Sequence, residues 1–173
     1  MDLKSTVRSI VDWPIKGVIF RDLTTLMQDP EALKQSCDIL YDRYKDQKID
    51  KIVGIDARGF VFGAVLAYKL GLGFVPVRKK GKLPAETIEE SYDLEYGSGT
   101  LEIHKDSLKA GERVVIIDDL IATGGTAGAT VNIVKQLGAE IVECAFLIEL
   151  PELKGREQIN GCDVFAMMDF EGE

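Results

Sequence analysis

Residues 113–127 read RVVIIDDLIATGGTA. Apolar β-formers at 114–117 follow a charged residue, and two adjacent carboxylates, Asp118 and Asp119, come next. Thr123, Gly124, Gly125 and Thr126 then open a run of small residues and helix formers. The order is that of a buried parallel strand, a tight turn and a helix N-terminus. Unpaired backbone N–H groups and the positive end of the helix meet at such a corner, which suits a phosphate. Gly124 and Gly125 let backbone approach an anion, and the hydroxyls of Thr123 and Thr126 can donate to its oxygens. The adjacent acids would repel that same phosphate. Ionised carboxylates only accept hydrogen bonds, so they suit neutral diols or a metal-bound oxygen. The stretch therefore reads as a grip on a sugar phosphate. No GxGxxG opens a helix and no Gly-Lys-Ser/Thr closes the loop, so the common dinucleotide and triphosphate signatures are absent.

The chain has 173 residues, 46% hydrophobic and 29% charged, which is the length and balance of one domain with a substantial core. Its net charge is −8 and its pI about 4.8. An acidic chain without a long Lys/Arg block is a poor candidate for nonspecific nucleic-acid or membrane binding. No apolar run approaches a membrane span, and the first residues lack the continuous apolar core of a signal peptide. Cys37, Cys144 and Cys162 are odd in number and widely spaced in apolar surroundings, so they read as reduced, buried thiols of a cytosolic protein. With one histidine, His104, a zinc cluster has neither the spacing nor the ligands, and His104 itself fits a strand edge.

Strand and helix patterns alternate along the chain. Leu3, Val7, Ile10 and Val11 fall on one face of an expected short N-terminal helix, broken by Pro14 and Gly17. Residues 18–22 read as a short strand or extended loop, in which Phe20 is either simple core or an aromatic face for a flat ring. Asp29-Pro30 starts a helix with Leu33, Cys37, Leu40 and Tyr44 on one face. Residues 51–55 form a strand ending at Asp56-Ala57-Arg58-Gly59, before an apolar helix over 60–70. This is a second strand–loop–helix corner, and Arg58 is either a surface partner of Asp56 or a phosphate ligand there. After a third strand at 73–77 comes a basic cluster, Arg78, Lys79, Lys80 and Lys82. Residues 91–95 and 101–104 alternate about a turn, giving a hairpin, and residues 78–105 together read as a mobile flap. A helix to about Leu137, a strand at 140–150, a polar connection and a short strand at 164–168 follow. The alternation predicts a mostly parallel α/β sheet with helices on both faces.

Residues 113–127 resemble the phosphoribosyl-pyrophosphate (PRPP) binding motif of the type I phosphoribosyltransferases. The flanks narrow the resemblance. VDWPIKGVIFRD at 11–22, DARGF at 56–60, VRKKGKLP at 77–84 and DLEYGSGTLEIHKD at 93–106 are similar to the adenine phosphoribosyltransferase family over nearly the full chain. Thr25 and Ala85 depart from it, standing where proline and glycine are common.

The resemblance implies a single domain with an antiparallel flap and a short N-terminal hood over residues 1–29. It implies the reaction of adenine with PRPP to give AMP and pyrophosphate, with Mg2+ held mainly through PRPP. A cytoplasmic homodimer without nucleic-acid or membrane partners is expected. By the same resemblance Asp118 and Asp119 bind the ribose, and Ala122, Thr123, Gly124, Gly125 and Thr126 the 5-phosphate. Asp56, Ala57 and Arg58 lie at the pyrophosphate, with Arg78, Lys79 and Lys82 adding charge. Ile19, Phe20 and Arg21 line the adenine pocket. Glu95 and Tyr96 close over the site, with Glu95 and Arg58 as catalytic candidates. A phosphoribosyltransferase for hypoxanthine, guanine or xanthine is the alternative, and a PRPP-sensing regulator a second one.

Overall fold

The computed structural model describes every residue except Glu95, Tyr96, Asn160 and Glu173. The chain opens with a 3-10 turn (Leu3–Thr6) and an antiparallel ribbon of β1 (Arg8–Val11) with β2 (Ile19–Asp22). The expected N-terminal helix does not form. Leu3 and Val7 are buried, but Val11 is 68% exposed. The β-branched Ile10 and Val11 pair instead with Phe20 and Ile19, so tertiary pairing overrides a short helical period. A five-residue helix, α1 (Thr24–Gln28), was not signalled by the periodicity. It leads into α2 (Pro30–Tyr44), whose Asp29 cap accepts the N–H groups of Glu31 and Ala32 at 2.9 and 3.0 Å. Such a cap contributes about 1 kcal/mol.

The remainder is β3 (Lys51–Ile55), α3 (Arg58–Leu70), β4 (Gly73–Lys79), β5 (Thr87–Asp93), β6 (Ser98–His104), β7 (Arg113–Ile121), α4 (Gly125–Gln136), β8 (Glu140–Glu149) and β9 (Val164–Asp169). The strands make a seven-stranded sheet in the order β5-β6-β4-β3-β7-β8-β9. β4, β3, β7, β8 and β9 run parallel. The β5–β6 hairpin is antiparallel and joins β4 through Arg78 opposite Glu102 and Lys79 opposite Leu101. From β3 the chain passes to β4 on one side and later to β7 on the other. The order therefore reverses between β3 and β7, and in such sheets the crevice beyond the strand ends at that point takes the ligand.

Residues 114–117 are completely buried because both faces of β7 are covered. Val115 and Ile117 join a cluster with Leu40 of α2 and with Phe62 and Leu66 of α3. Val114 and Ile116 face the other way, into a cluster with Val131, Ile133 and Val134 of α4. Burial of each such side chain contributes roughly 1.5–3 kcal/mol relative to exposure. The expected fold class, helices on both faces of a mostly parallel sheet, is thus the observed one. The hairpin is the sheet's edge, its Glu90 accepting from Gln136 of α4 at 3.2 Å. His104 ends β6, the inner strand of that hairpin, half-buried opposite Thr87, with its Nε2 accepting the Ala85 N–H at 3.3 Å. The three cysteines are free, though Cys162 is only half-buried rather than buried. Among the described residues no helix is long and apolar enough to cross a membrane.

Candidate active site

The crevice at the switch point is lined by Phe20, Arg21, residues 56–58 and residues 118–127. The corner from β7 to α4 builds most of it. β7 continues through Ile121, so Asp118 and Asp119 lie on the strand itself rather than in the expected turn. Gly124 then takes φ 84° as the residue before α4, a left-handed conformation that suits glycine. The first N–H groups of α4 have no intrahelical acceptor and point, with the helix dipole, towards the crevice end of the loop. The loop is braced from behind by Gly155. A Cβ on Gly155 would lie 2.4 Å from the Ala122 carbonyl oxygen, and one on Gly124 only 2.2 Å from the Gly155 oxygen. Gly155 is thus a residue the site requires and the sequence reading missed. The contact joins segments distant in sequence, and no local pattern announces it.

Asp118 and Asp119 are 8% and 7% exposed. The Asp118 carboxylate accepts the Asp119 N–H at 2.8 Å. Burial, and after it the neighbouring Asp119 charge, push the Asp118 carboxyl well above the usual range, with Arg58 pulling back. Arg58 comes from the β3–α3 corner and its Nε donates to Asp119 Oδ2. Burial opposes the Arg58 charge, but Asp119 outweighs it and holds the guanidinium protonated. Only the Nε of Arg58 is engaged among the described residues, so its Nη groups keep donors for an incoming anion. Asp56, in the same β3–α3 corner, accepts from Arg78 Nε at 3.0 Å. The Asp56–Ala57 peptide, between Asp56 and Arg58, is cis.

Beside this polar crevice, and sharing Phe20, Arg21, Leu120, Ala122 and Thr123 with it, is a mostly apolar pocket of about 300 Å3. Val18, Ile19, Leu150 and Leu153 complete its walls. That volume lies at the lower end for small-molecule sites. Phe20 is held by Trp13, edge to face, with centroids 4.6 Å apart. Leu120, Leu150 and Leu153 were not picked out from the sequence. For Leu120 a signal existed: it is two residues from Asp118 and shares its face of the strand.

Most of the expected residues meet here: Ile19, Phe20, Asp56, Ala57, Arg58, Asp118, Asp119 and residues 122–126. Arg21 also lines both spaces, but its guanidinium is bonded elsewhere, to Ser9 and the C-terminal backbone. Arg78 reaches the crevice edge through Asp56. Lys79 is exposed and lines a separate groove beside Tyr92 and Leu94, and Lys82 is exposed and outside the crevice lining. Lys80 is paired with Glu89 at 3.1 Å. Glu95 and Tyr96 lie outside the described residues.

A doubly wound sheet with a phosphate-type corner, an acidic pair and an apolar pocket at one switch point matches the phosphoribosyl transferase domain, which aligns with residues 22–170. This defines the class. The adenine phosphoribosyltransferase of Desulfosudis oleivorans is 63% identical, with all of both chains aligned. The crystal structure of adenine phosphoribosyltransferase from Thermoanaerobacter pseudethanolicus superposes with a TM-score of 0.93 at 48% identity, covering 98% of each chain. The Saccharomyces cerevisiae enzyme, solved with an imino-altritol bisphosphate and adenine, gives 0.91 at 42% identity, covering 96% of this chain and 97% of that one. The chain belongs to the adenine phosphoribosyltransferase family.

Proposed function

We propose that the protein transfers the 5-phosphoribosyl group of PRPP to N9 of adenine, releasing AMP and pyrophosphate in purine salvage. The observation that carries this reading is the joining, at one switch point, of a polar sugar-phosphate grip to an apolar slot of base-like character. The 5-phosphate rests on the Thr123 to Thr126 loop, where N–H donors and the helix dipole converge. Asp118 and Asp119 accept from the ribose hydroxyls. Asp56, Ala57 and Arg58 receive the pyrophosphate, with the free Nη groups of Arg58 as its donors. Arg78, Lys79 and Lys82 contribute the approaching positive field, Arg78 most directly through Asp56. Adenine stacks on Phe20 between Ile19 and the leucines of the opposite wall.

Departure of pyrophosphate leaves an oxocarbenium-like charge at C1 of the ribose. Buried carboxylates next to that centre stabilise it, and Arg58 stabilises the leaving group from the other side. N9 then attacks from the face opposite the departing pyrophosphate. Glu95, beside Tyr96 in the sequence, is assigned the proton on the adenine ring by the resemblance.

Mg2+ fits this site as part of the substrate complex. Among the described residues no group of three His, Cys, Asp or Glu side chains could cage a metal. Mg2+ commonly uses one or two carboxylates plus substrate oxygens, which here means Asp118 and Asp119 together with PRPP. Held there by Asp118 and Asp119 with PRPP, the ion would offset charge on the pyrophosphate. A cytoplasmic homodimer accompanies this reading. Val61, Ala64 and Tyr68 form an exposed stripe on α3, with Tyr68 86% exposed, and offer an apolar face to a second copy.

The test is turnover with a purine panel. Adenine with PRPP and Mg2+ should give AMP and pyrophosphate in equal amounts, while hypoxanthine, guanine and xanthine remain unreacted. Turnover confined to a 6-oxopurine would overturn the assignment.

A further inference from the structure

The last residues of the chain connect two walls of the apolar pocket that come from opposite ends of the sequence. Beyond β9, the Phe170 N–H donates to the Glu149 carbonyl at 3.0 Å, and the Phe170 ring is buried. Arg21 reaches this segment from β2. Its Nη2 donates to the carbonyl oxygens of Glu171 at 2.9 Å and Gly172 at 3.3 Å, and its Nη1 to Ser9 Oγ at 2.6 Å. The guanidinium stacks 4.8 Å from the centroid of the Phe170 ring. On the far side, the Gly172 N–H donates to Glu152 Oε1 at 3.2 Å. Arg21 directly follows Phe20, and Glu152 directly precedes Leu153. Residues 170–172 therefore tie the Ile19–Phe20 wall to the Leu150–Leu153 wall.

We propose that this C-terminal strap is a positioning element for the base, setting the spacing of the two walls and so the affinity for adenine. The proposal rests on the reading of the apolar pocket as the adenine site. The bonds explain why the strap matters. Arg21 Nε is buried and has no hydrogen-bond partner among the described residues, so its guanidinium is held in place by the Nη bonds and the ring of Phe170. Without the strap the Ser9 bond alone is left among the described residues, and water competes for the guanidinium. Arg21 then moves, and with it the backbone that carries Phe20. None of these bonds involves Asp118, Asp119 or the Thr123 to Thr126 loop. The strap therefore acts first on adenine, since the carboxylates and loop that hold PRPP make none of these bonds.

Steady-state kinetics on four proteins test this. A chain ending at Phe170 should raise KM for adenine about tenfold, with kcat and KM for PRPP within about twofold. Glu152→Ala should move the same constant in the same direction. Glu152→Gln, which keeps an oxygen acceptor for the Gly172 N–H, should stay near wild type. Phe20→Ala reports on the pocket itself and should raise KM for adenine. If Phe20→Ala leaves KM for adenine unchanged, the pocket reading fails and the strap proposal falls with it. If Phe20→Ala behaves as expected but truncation leaves KM for adenine unchanged, or raises both KM values equally, the strap proposal alone is overturned.

Discussion

Asp118→Asn should make the unliganded protein more stable while weakening its grip on PRPP. Asp118 is 8% exposed, adjoins a second carboxylate and holds a carboxyl raised well above its usual range, by burial first and Asp119 second. A raised acid binds more protons folded than unfolded, between its ordinary value and its folded one. Stability is therefore lost as pH rises through that window. Asparagine removes the titration but keeps the oxygen that accepts the Asp119 N–H at 2.8 Å. Relieving a conflict of this kind typically stabilises by roughly 0.5–2 kcal/mol. At about 2–4 °C per kcal/mol for a domain of this size, Tm should rise by about 1–8 °C at pH 8. The gain should shrink towards pH 4, where the wild-type carboxyl is neutral too. Loss of a charged acceptor for a ribose hydroxyl costs about 1.5–3 kcal/mol, or roughly 10–150-fold in PRPP affinity. Thermal unfolding across pH 4–8 and calorimetric titration with Mg2+ and PRPP read both effects. A lower Tm for Asp118→Asn at pH 8 would refute the stored conflict, and unchanged affinity would show that the ribose lies elsewhere.

Three further outcomes follow. Gly155→Ala places a methyl 2.4 Å from the Ala122 oxygen and 2.7 Å from Ile121 Cγ1. It should destabilise by about 1–3 kcal/mol and raise KM for PRPP but not for adenine; equal KM values for both proteins would remove the bracing role. The Cys162 thiol is held at about 6, mainly by a hydrogen bond from Cys144 and then by the Lys135 charge, against the opposing effect of burial. Iodoacetamide should label Cys162 ahead of Cys37 and Cys144, at a rate that levels off above about pH 7. A rate still climbing through pH 8–9 would contradict this, read by mass spectrometry. Glu95→Gln should cost about 10²–10⁴-fold in kcat with PRPP binding retained, and an unchanged kcat would take Glu95 out of the mechanism.

The elements legible in the sequence were those whose signal is local. The β7–α4 corner could be read because burial on both faces demands an unbroken apolar run, and the acids and glycines mark where it ends. Asp29-Pro30 announced α2 for the same reason, since a cap acts on its nearest N–H groups. Failures came where distant partners decide. Leu3, Val7, Ile10 and Val11 fit a helical period, yet pairing with β2 draws Ile10 and Val11 into a strand. Arg21 lines the pocket as its sequence position implies, but local sequence does not show that its guanidinium bonds the carbonyls of Glu171 and Gly172 at the other end of the chain. Lys79 and Lys82 share a basic cluster with Arg78, and in the fold Arg78 is the one hydrogen-bonded to a crevice residue, Asp56, among the described residues. Lys79 ends β4 and Lys82 lies in the loop after it, and strand period does not tell which way such residues face. Gly155, Leu150 and Leu153 belong to the site only because the end of β8 lies beside the end of β7.

The central claim is that one crevice holds the 5-phosphate on the Thr123 to Thr126 loop, the ribose on Asp118 and Asp119, and the purine against Phe20. A crystal structure with AMP bound tests it most directly. The claim predicts phosphate oxygens within hydrogen-bond distance of the first N–H groups of α4, ribose hydroxyls on the two carboxylates, and the adenine ring between Phe20 and Leu153. A phosphate seated at residues 56–58 instead, or a purine outside the apolar pocket, would contradict it.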